Sequence, residues 1–385
     1  MNKLISEYHE SSRAVLGSAR SLPFPVYHDP EIFELETESI FRNEWVFACT
    51  SAELPNPGDY YCFTLIGEPI IIIRGKDQQL RAMSNSCRHR GTPLLDNGFG
   101  NTGKLIVCPY HAWSYDTQGS LMGIPLAKND KLDKSEHCLP QFLCEEIFGL
   151  VFIAIVKPAT DLRSRFEGLS SYLEIYETKR FTESLPGALE HWQANWKLAM
   201  ENAMESYHLF KVHKTTLETV TPSKLAYYVA GSSEWTLTGG KMEDHSSTLG
   251  KWLRGDYPEV YDHYLLISLP PNFVAILTHD SLGWLSATPL NAAECLIRSG
   301  ALGEPGAGSE SNESQAFTKA FFEEDKMICE RVQSGMQART GKGGQLVEME
   351  RVVVDFHQYL ASRLFRESPS EFYQNSEPNP FNRSD

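Results

Sequence analysis

The chain has 385 residues, 41% hydrophobic and 22% charged, a composition that fits a folded protein of about two domains and excludes a mostly disordered, collagen-like or fibrous chain. Against 35 Lys and Arg stand 50 Asp and Glu, and the resulting formal charge of −15 disfavours nucleic acid and anionic membranes as partners. No apolar run approaches the roughly 20 residues that cross a bilayer, the first residues carry no secretion signal, and eight cysteines are too sparse for a disulfide scaffold, so a cytoplasmic protein with free thiols is expected.

Residues 1–44 read as irregular chain followed by a helix over about 30–44, opened by Asp29-Pro30 and carrying Ile32, Phe33, Leu35, Ile40 and Phe41 as apolar positions. Over 45–158, β-branched and aromatic runs at 60–65, 70–74, 105–108 and 150–156 alternate with turn signals at Asn56-Pro57-Gly58-Asp59 and Asn97-Gly98, which predicts a small all-β domain. Over 159–373 helical periods come first, then a strand-rich stretch at about 227–302, then two more helices, which predicts an α+β domain. The run 303–310 reads as a loop and 374–385 as a flexible tail; no internal repeat is present.

Within the β-rich region stand Cys87-Arg88-His89 and, eighteen residues beyond His89, Cys108-Pro109-Tyr110-His111. Two thiolates and two imidazoles could complete a zinc site, but zinc patterns usually pair Cys with Cys and His with His. A Rieske [2Fe-2S] cluster takes two thiolates on one iron and two imidazoles on the other, which suits two loops that each offer one of both. Gly91, Pro93 and Pro109 let backbone N–H groups turn toward the bridging sulfurs, and Trp113 can shield the cluster. With Gly91-Thr92-Pro93-Leu94 and Pro109-Tyr110-His111-Ala112-Trp113, the pattern resembles the Rieske domain of the ring-hydroxylating-type oxygenases.

A second constellation lies in 195–213. Asn202, Glu205 and His208 recur at i, i+3 and i+6, near one face of a helix, whereas His213 falls about 140° round from His208. For both imidazoles to meet one metal, the helix must end or distort between them. In isolation, Glu205 and His208 read as a surface pair and His213 as a helix-end cap. The resemblance changes that reading, because the oxygenase family joins its Rieske domain to a catalytic domain with a similar Asn-Trp-Lys…Glu-Asn-x-x-acid-x-Tyr-His-x4-His segment, making His208 and His213 ligands of mononuclear iron. A 2-His-1-carboxylate triad needs a third ligand. Phe321, Asp325, Ile328 and Val332 share a stripe that puts Asp325 on the apolar face, where a carboxylate must be paired or bind metal, while Glu323 and Glu324 point elsewhere. Asp355 competes but flanks its own Val353, Phe356, Leu360 stripe, and the run 324–335 is similar to the family's ligand helix, so Asp325 is the expected ligand.

The resemblance spans about residues 23–365 and implies an α+β protein: an all-β Rieske domain followed by a helix-grip-like catalytic domain of antiparallel sheet and helices. It implies a [2Fe-2S] cluster and mononuclear Fe(II) as cofactors, O2 and a small molecule as substrates, and Asn202 and Glu205 as catalytic side chains beside the ligands. Electrons would come from NAD(P)H through a flavin/iron–sulfur reductase, a separate protein because no Gly-rich dinucleotide fingerprint follows a strand here. Family members are trimers or multiples of trimers, in which the cluster of one subunit feeds the iron of its neighbour through an acidic bridge. That bridge would be Glu205, accepting from His208 and from the neighbouring subunit's His89 or His111.

Most aromatic-ring hydroxylases of the family have Asp at the bridge, and Glu205 resembles the subgroup that oxidises carnitine, choline and betaines. A trimethylammonium group binds aromatic faces, and Tyr227, Tyr228, Trp235, Trp252, Tyr257, Tyr261, Tyr264 and Trp284 could supply them or serve an aromatic substrate. The reading favours a quaternary ammonium substrate over hydroxylation or demethylation of an aromatic acid. A Rieske electron carrier without catalysis and a zinc-binding interaction module are the other classes that fit parts of the pattern.

Overall fold

The computed structural model of the protein describes residues 3–127, 132–185, 187–243, 258–306, 312–368 and 381. Trp252, Tyr257, residues 307–310 and the 374–385 tail apart from Phe381 lie outside them. The chain divides into two compact units, Phe41–Leu162 and a second that combines Met1–Ile40 with Arg163–Asp385. The first residues are therefore not a segment of their own, as expected over 1–44, but part of the larger unit. No helix among the described residues is long and apolar enough to cross a membrane.

In the smaller unit, seven strands form one antiparallel sheet in the order β1 (Val46–Thr50), β10 (Leu150–Ala154), β9 (Gln141–Ile147), β4 (Leu80–Ser84), β3 (Glu68–Arg74), β2 (Asp59–Leu65), β5 (Gly98–Asn101). A second, three-stranded sheet joins β6 (Ile106–Val107), β7 (Ser114–Tyr115) and β8 (Leu121–Gly123). The four consecutive isoleucines of β3 are all fully buried, so both faces of that strand are covered; each contributes roughly 1.5–3 kcal/mol by leaving water. Ile66-Gly67 between β2 and β3 and Phe148-Gly149 between β9 and β10 have positive φ at both residues, the backbone of the two-residue hairpin turns that match strand twist. One apolar cluster binds the two sheets together and holds Ile71, Ile73, Met83, Trp113 and Tyr115 with the Cys87 and Cys108 thiols.

The larger unit is built on an eight-stranded antiparallel sheet. Its main path runs β11 (Glu183–Leu185), β18 (Glu294–Gly303), β17 (Ser281–Asn291), β16 (Phe273–Leu277), β15 (His263–Leu269), β14 (Thr236–Lys241), β13 (Ala226–Gly231), and β12 (Leu189–Trp192) also pairs with β18. The helix Trp196–Ala203 packs on β16, β17 and the helix Asn312–Gly335, while Arg351–Phe365 packs on β13, β14 and the first helix, Lys3–Ser12. That first helix was not legible in the sequence, because the side chains it buries are Tyr8 and Ser12 rather than an apolar stripe. The predicted helix over 30–44 is shorter, Pro30–Glu36, followed by a wider π-type turn over Thr37–Phe41. The Asp29 carboxylate caps its start by accepting from the N–H groups of Glu31 and Ile32 at 2.8 and 3.2 Å.

The Asn-Trp-Lys segment fixes the helix that leads to the site. Asn195 caps it by accepting from the Lys197 N–H at 2.9 Å, and the Asn195 N–H donates to the Gln333 side chain at 2.8 Å. Lys197 and Glu36 form a wholly buried ion pair at 2.8 Å, and the Glu36 carboxylate also accepts from Tyr8 at 2.8 Å and from the Trp196 indole at 2.9 Å. Burial lowers the Lys197 ammonium below its ordinary value, and Glu36 opposes that shift. Glu36→Ala leaves a buried cation without its counter-charge and two further donors, Tyr8 and Trp196, unanswered, so it should destabilise the unit by about 3–5 kcal/mol. Denaturant titration should show this, with most of the loss recovered in Glu36→Leu/Lys197→Met.

Candidate functional site

The two Cys/His loops are copies of one backbone design. In the first, the Cys87 N–H donates to Thr92 O at 2.9 Å and the Gly91 N–H to Cys87 O at 2.8 Å; in the second, Cys108 donates to Trp113 O at 2.8 Å and Ala112 to Cys108 O at 3.0 Å. The fourth residue after each cysteine turns into the left-handed region, with φ +75° at Gly91 and +55° at Ala112. Gly91 was legible as a turn residue; Ala112 was not, because alanine gives no sign of it. Cys87 and Cys108 are buried, whereas His89 and His111 stand at the exposed end with ring centroids 4.6 Å apart.

Trp113 stacks on His89 at 4.8 Å. The buried Tyr115 hydroxyl lies 3.4 Å from Cys87 Sγ and accepts the Arg88 N–H at 3.1 Å. Two thiols inside and two imidazoles outside fit a [2Fe-2S] cluster with one iron of each kind.

In the larger unit the helix stops at Ala203, before Glu205, and a separate single turn, Leu209–Val212, follows. The break therefore lies ahead of His208 and not between His208 and His213 as expected, and Asn202, Glu205 and His208 do not share one helix. The Glu205 carboxylate explains where the new turn begins: Oε2 accepts the backbone N–H groups of Tyr207 and His208, and Oε1 accepts His208 Nδ1–H at 2.6 Å. His208 and His213 sit at the two ends of that turn with their Nε2 atoms 3.2 Å apart.

Asp325 Oδ1 lies 2.9 Å from His213 Nε2 and 3.4 Å from His208 Nε2, and accepts Asn202 Nδ2–H at 2.7 Å. Donor atoms about 2.1 Å from one ion and at right angles lie roughly 3.0 Å apart, so these three atoms outline one face of an octahedron, the arrangement of a 2-His-1-carboxylate centre. Burial alone would raise the Asp325 carboxyl, but hydrogen bonds from His208 and His213 outweigh it and hold it at about 2. Burial would lower His208, and Asp325 and Glu205 instead lift it to about 10. The pocket is thus charged to hold a cation.

Two expectations about the helix Asn312–Gly335 need correction. The buried side of Asn312–Gly335 carries Asp325, Cys329 and Gln333, while Val332 is 37% exposed. Polar Gln333 takes the inner place because it accepts from Asn195 and donates to Tyr27 O at 3.0 Å. Glu324 does not point away: its carboxylate accepts His213 Nδ1–H at 2.8 Å and the Thr216 hydroxyl at 2.6 Å. Asp355 lies outside the site and holds together a buried network, accepting from Arg351 at 2.9 Å, Tyr228 at 2.7 Å and Thr236 at 3.1 Å. The aromatic residues are mostly engaged elsewhere as well. The Trp235 indole donates to Glu167 O, Trp284 lies under Arg298, Tyr261 stacks near His279, and Tyr227 meets His263. Tyr264 is tied to the site segment, its hydroxyl 3.2 Å from Ser206 Oγ.

Comparison with known proteins matches both regions of the chain. The Rieske [2Fe-2S] domain family matches residues 44–142 and the ring hydroxylating alpha subunit (catalytic domain) family matches 176–365. The carnitine monooxygenase oxygenase subunit of Acinetobacter baumannii is 29% identical over 359 residues, covering 88% of this chain and 92% of that protein. The anthranilate 1,2-dioxygenase large subunit of Acinetobacter baylyi is 32% identical over 227 residues, 56% of this chain and 47% of that protein. Among solved structures, a quaternary ammonium Rieske monooxygenase studied for carnitine oxidation by gut microbiota and inter-subunit electron transfer superposes with a TM-score of 0.78. It is 25% identical, covering 93% of this chain and 98% of that one.

Asp325→Ala should remove most of the mononuclear iron and abolish turnover while the visible spectrum of the cluster is unchanged. Asp355→Ala should keep the iron but cost about 3–5 kcal/mol of stability by stranding Arg351. Iron analysis beside thermal unfolding separates the two, and the reverse pattern would overturn the assignment.

Proposed function

The chain belongs to the Rieske ring-hydroxylating oxygenases, with a [2Fe-2S] cluster and mononuclear iron as cofactors, and we propose from that membership that it is an oxygenase component acting on a small quaternary ammonium compound. When bound, the cluster relays single electrons and the mononuclear iron activates O2 for hydroxylation or oxidative C–N cleavage. Cys87, Cys108, His89 and His111 would hold the cluster, and His208, His213 and Asp325 the mononuclear iron. The observation that carries the reading is the convergence of two Nε2 atoms and one carboxylate oxygen on a single point, within the same chain as the paired Cys/His loops.

The protein's own residues do the positioning. Glu205 fixes the His208 ring, and Asn202 holds the Asp325 carboxylate by one of its oxygens. Beside them lies a cavity of about 200 Å³ lined in part by Glu201, Asn202, Glu205, Glu350 and His357. The cluster end of the other unit is basic, with Arg88 and Arg90 exposed on either side of His89. Opposite charges on these two faces support a trimeric assembly in which one subunit's His89 or His111 reaches its neighbour's Glu205. The solved relative noted for inter-subunit electron transfer supports the same arrangement. Electrons would enter from a separate NAD(P)H-dependent flavin/iron–sulfur reductase in the cytoplasm.

For the substrate, two points favour a quaternary ammonium: the carnitine-oxidising relatives and glutamate rather than aspartate at position 205. The anthranilate dioxygenase relative favours a second reading, an aromatic acid. Purified protein with a compatible reductase, NADH and O2 is to be offered L-carnitine, γ-butyrobetaine, glycine betaine, choline, benzoate and anthranilate. The proposal expects coupled NADH consumption and an oxygenated or C–N-cleaved product, read by mass spectrometry, with one of the first four. Products from the aromatic acids alone would select the second reading, and a cluster that cycles with no O2 uptake for any compound would mark an electron carrier.

A further inference from the structure

We propose that Glu324 is a positioning residue for the mononuclear metal, holding His213 by the ring nitrogen opposite to the one that faces the ion. The proposal rests on reading His208, His213 and Asp325 as the metal site. His213 is wholly buried, and both of its ring nitrogens meet carboxylates of consecutive residues on the helix Asn312–Gly335: Nδ1 lies 2.8 Å from Glu324 Oε2 and Nε2 lies 2.9 Å from Asp325 Oδ1. Neighbouring residues of a helix point about 100° apart, which lets two adjacent side chains pass on either side of one imidazole. The helix therefore supplies both a ligand and the group that aims another ligand.

The Glu324 carboxylate is itself fixed. The Thr216 hydroxyl donates to the same Oε2 at 2.6 Å, and the Thr216 N–H donates to His213 O at 3.1 Å, closing a small ring of contacts around the imidazole. Glu324 has 26% side-chain exposure, against 64% for Glu323 one residue earlier. With Nδ1–H committed to Glu324, Nε2 keeps its lone pair free for the metal. Glu205 makes the matching contact with His208 Nδ1, so each ligand imidazole is oriented by its own glutamate. The two devices differ in origin, since Glu205 comes from the broken turn beside its histidine and Glu324 from a helix more than a hundred residues away. Carboxylate partners of this kind raise the basicity of the ligand and fix its ring, and losing one typically weakens metal binding 10–100-fold.

The test is a metal titration. Iron is removed from the mononuclear site by mild chelation that leaves the cluster spectrum unchanged, and Co(II) is then titrated anaerobically, its visible bands reporting affinity and ligand geometry. Glu324→Ala should weaken Co(II) binding about 10–100-fold and shift the bands. Glu324→Gln, which keeps an acceptor but no charge, and Thr216→Val, which frees the carboxylate, should show smaller losses in the same direction. Glu323→Ala should bind as the wild type does.

Wild-type affinity and bands in Glu324→Ala, with Asp325→Ala unable to bind, would overturn this inference alone. Wild-type Co(II) binding in Asp325→Ala would instead overturn the reading of the metal site. Should Glu324→Ala fail to fold, the near-isosteric Glu324→Gln and Thr216→Val decide, and wild-type behaviour in both would count against the proposal.

Discussion

One carboxylate sets the geometry on which the catalytic unit depends. Glu205 Oε2 accepts two consecutive backbone N–H groups, from Tyr207 and His208, while Oε1 accepts the His208 ring at 2.6 Å. The first contact starts a new helical turn after the chain has left Trp196–Ala203, and the second turns His208 so that Nε2 faces His213 and Asp325. The break and the ring orientation thus come from one side chain. The buried Asn195, Trp196 and Lys197, held by Gln333 and Glu36, give that break a fixed starting point.

Buried carboxylates in this unit fall into two kinds that their partners distinguish. Glu36 and Asp355 face the basic side chains of Lys197 and Arg351, and neutral donors take up what remains of their oxygens. Such pairs contribute little net stability against an apolar replacement but are costly to break. Asp325 has no Lys or Arg partner among the described contacts. Its Oδ1 meets two imidazole Nε2 atoms and one amide, and imidazole can give up a proton to accept a metal. A carboxylate that a divalent ion can claim is one whose present partners are able to become fellow ligands.

Much of this was legible from residue spacing. Cys87-x-His89 and Cys108-x2-His111 point to their chemistry because a mixed Cys/His order suits few metal centres, and Asp325 stood out as a carboxylate on an apolar stripe. What escaped depended on tertiary contacts. The inner side of Asn312–Gly335 is set by Cys329 and Gln333 rather than Val332, because Gln333 finds backbone partners that no periodicity shows. Glu324 was expected to point elsewhere because its partner, His213, lies more than a hundred residues away in sequence. The helix Lys3–Ser12 is held by Tyr8 bonding to Glu36 and by Tyr8 and His9 meeting Phe365, in place of an apolar stripe, and Ala112 takes a glycine-like backbone with no local sign of it.

The central claim is that Glu205 builds the metal site and also couples it to the cluster of a neighbouring subunit. Glu205→Gln keeps the size and one acceptor oxygen but removes the charge that can accept from two imidazoles. Pre-reduced Glu205→Gln protein, mixed with saturating substrate and O2 in a single turnover, isolates electron transfer from reductase docking. The account predicts that both metal centres stay largely occupied and that the cluster reduces normally, while cluster reoxidation and product formation slow by orders of magnitude. Cluster reoxidation at the wild-type rate in Glu205→Gln would contradict it.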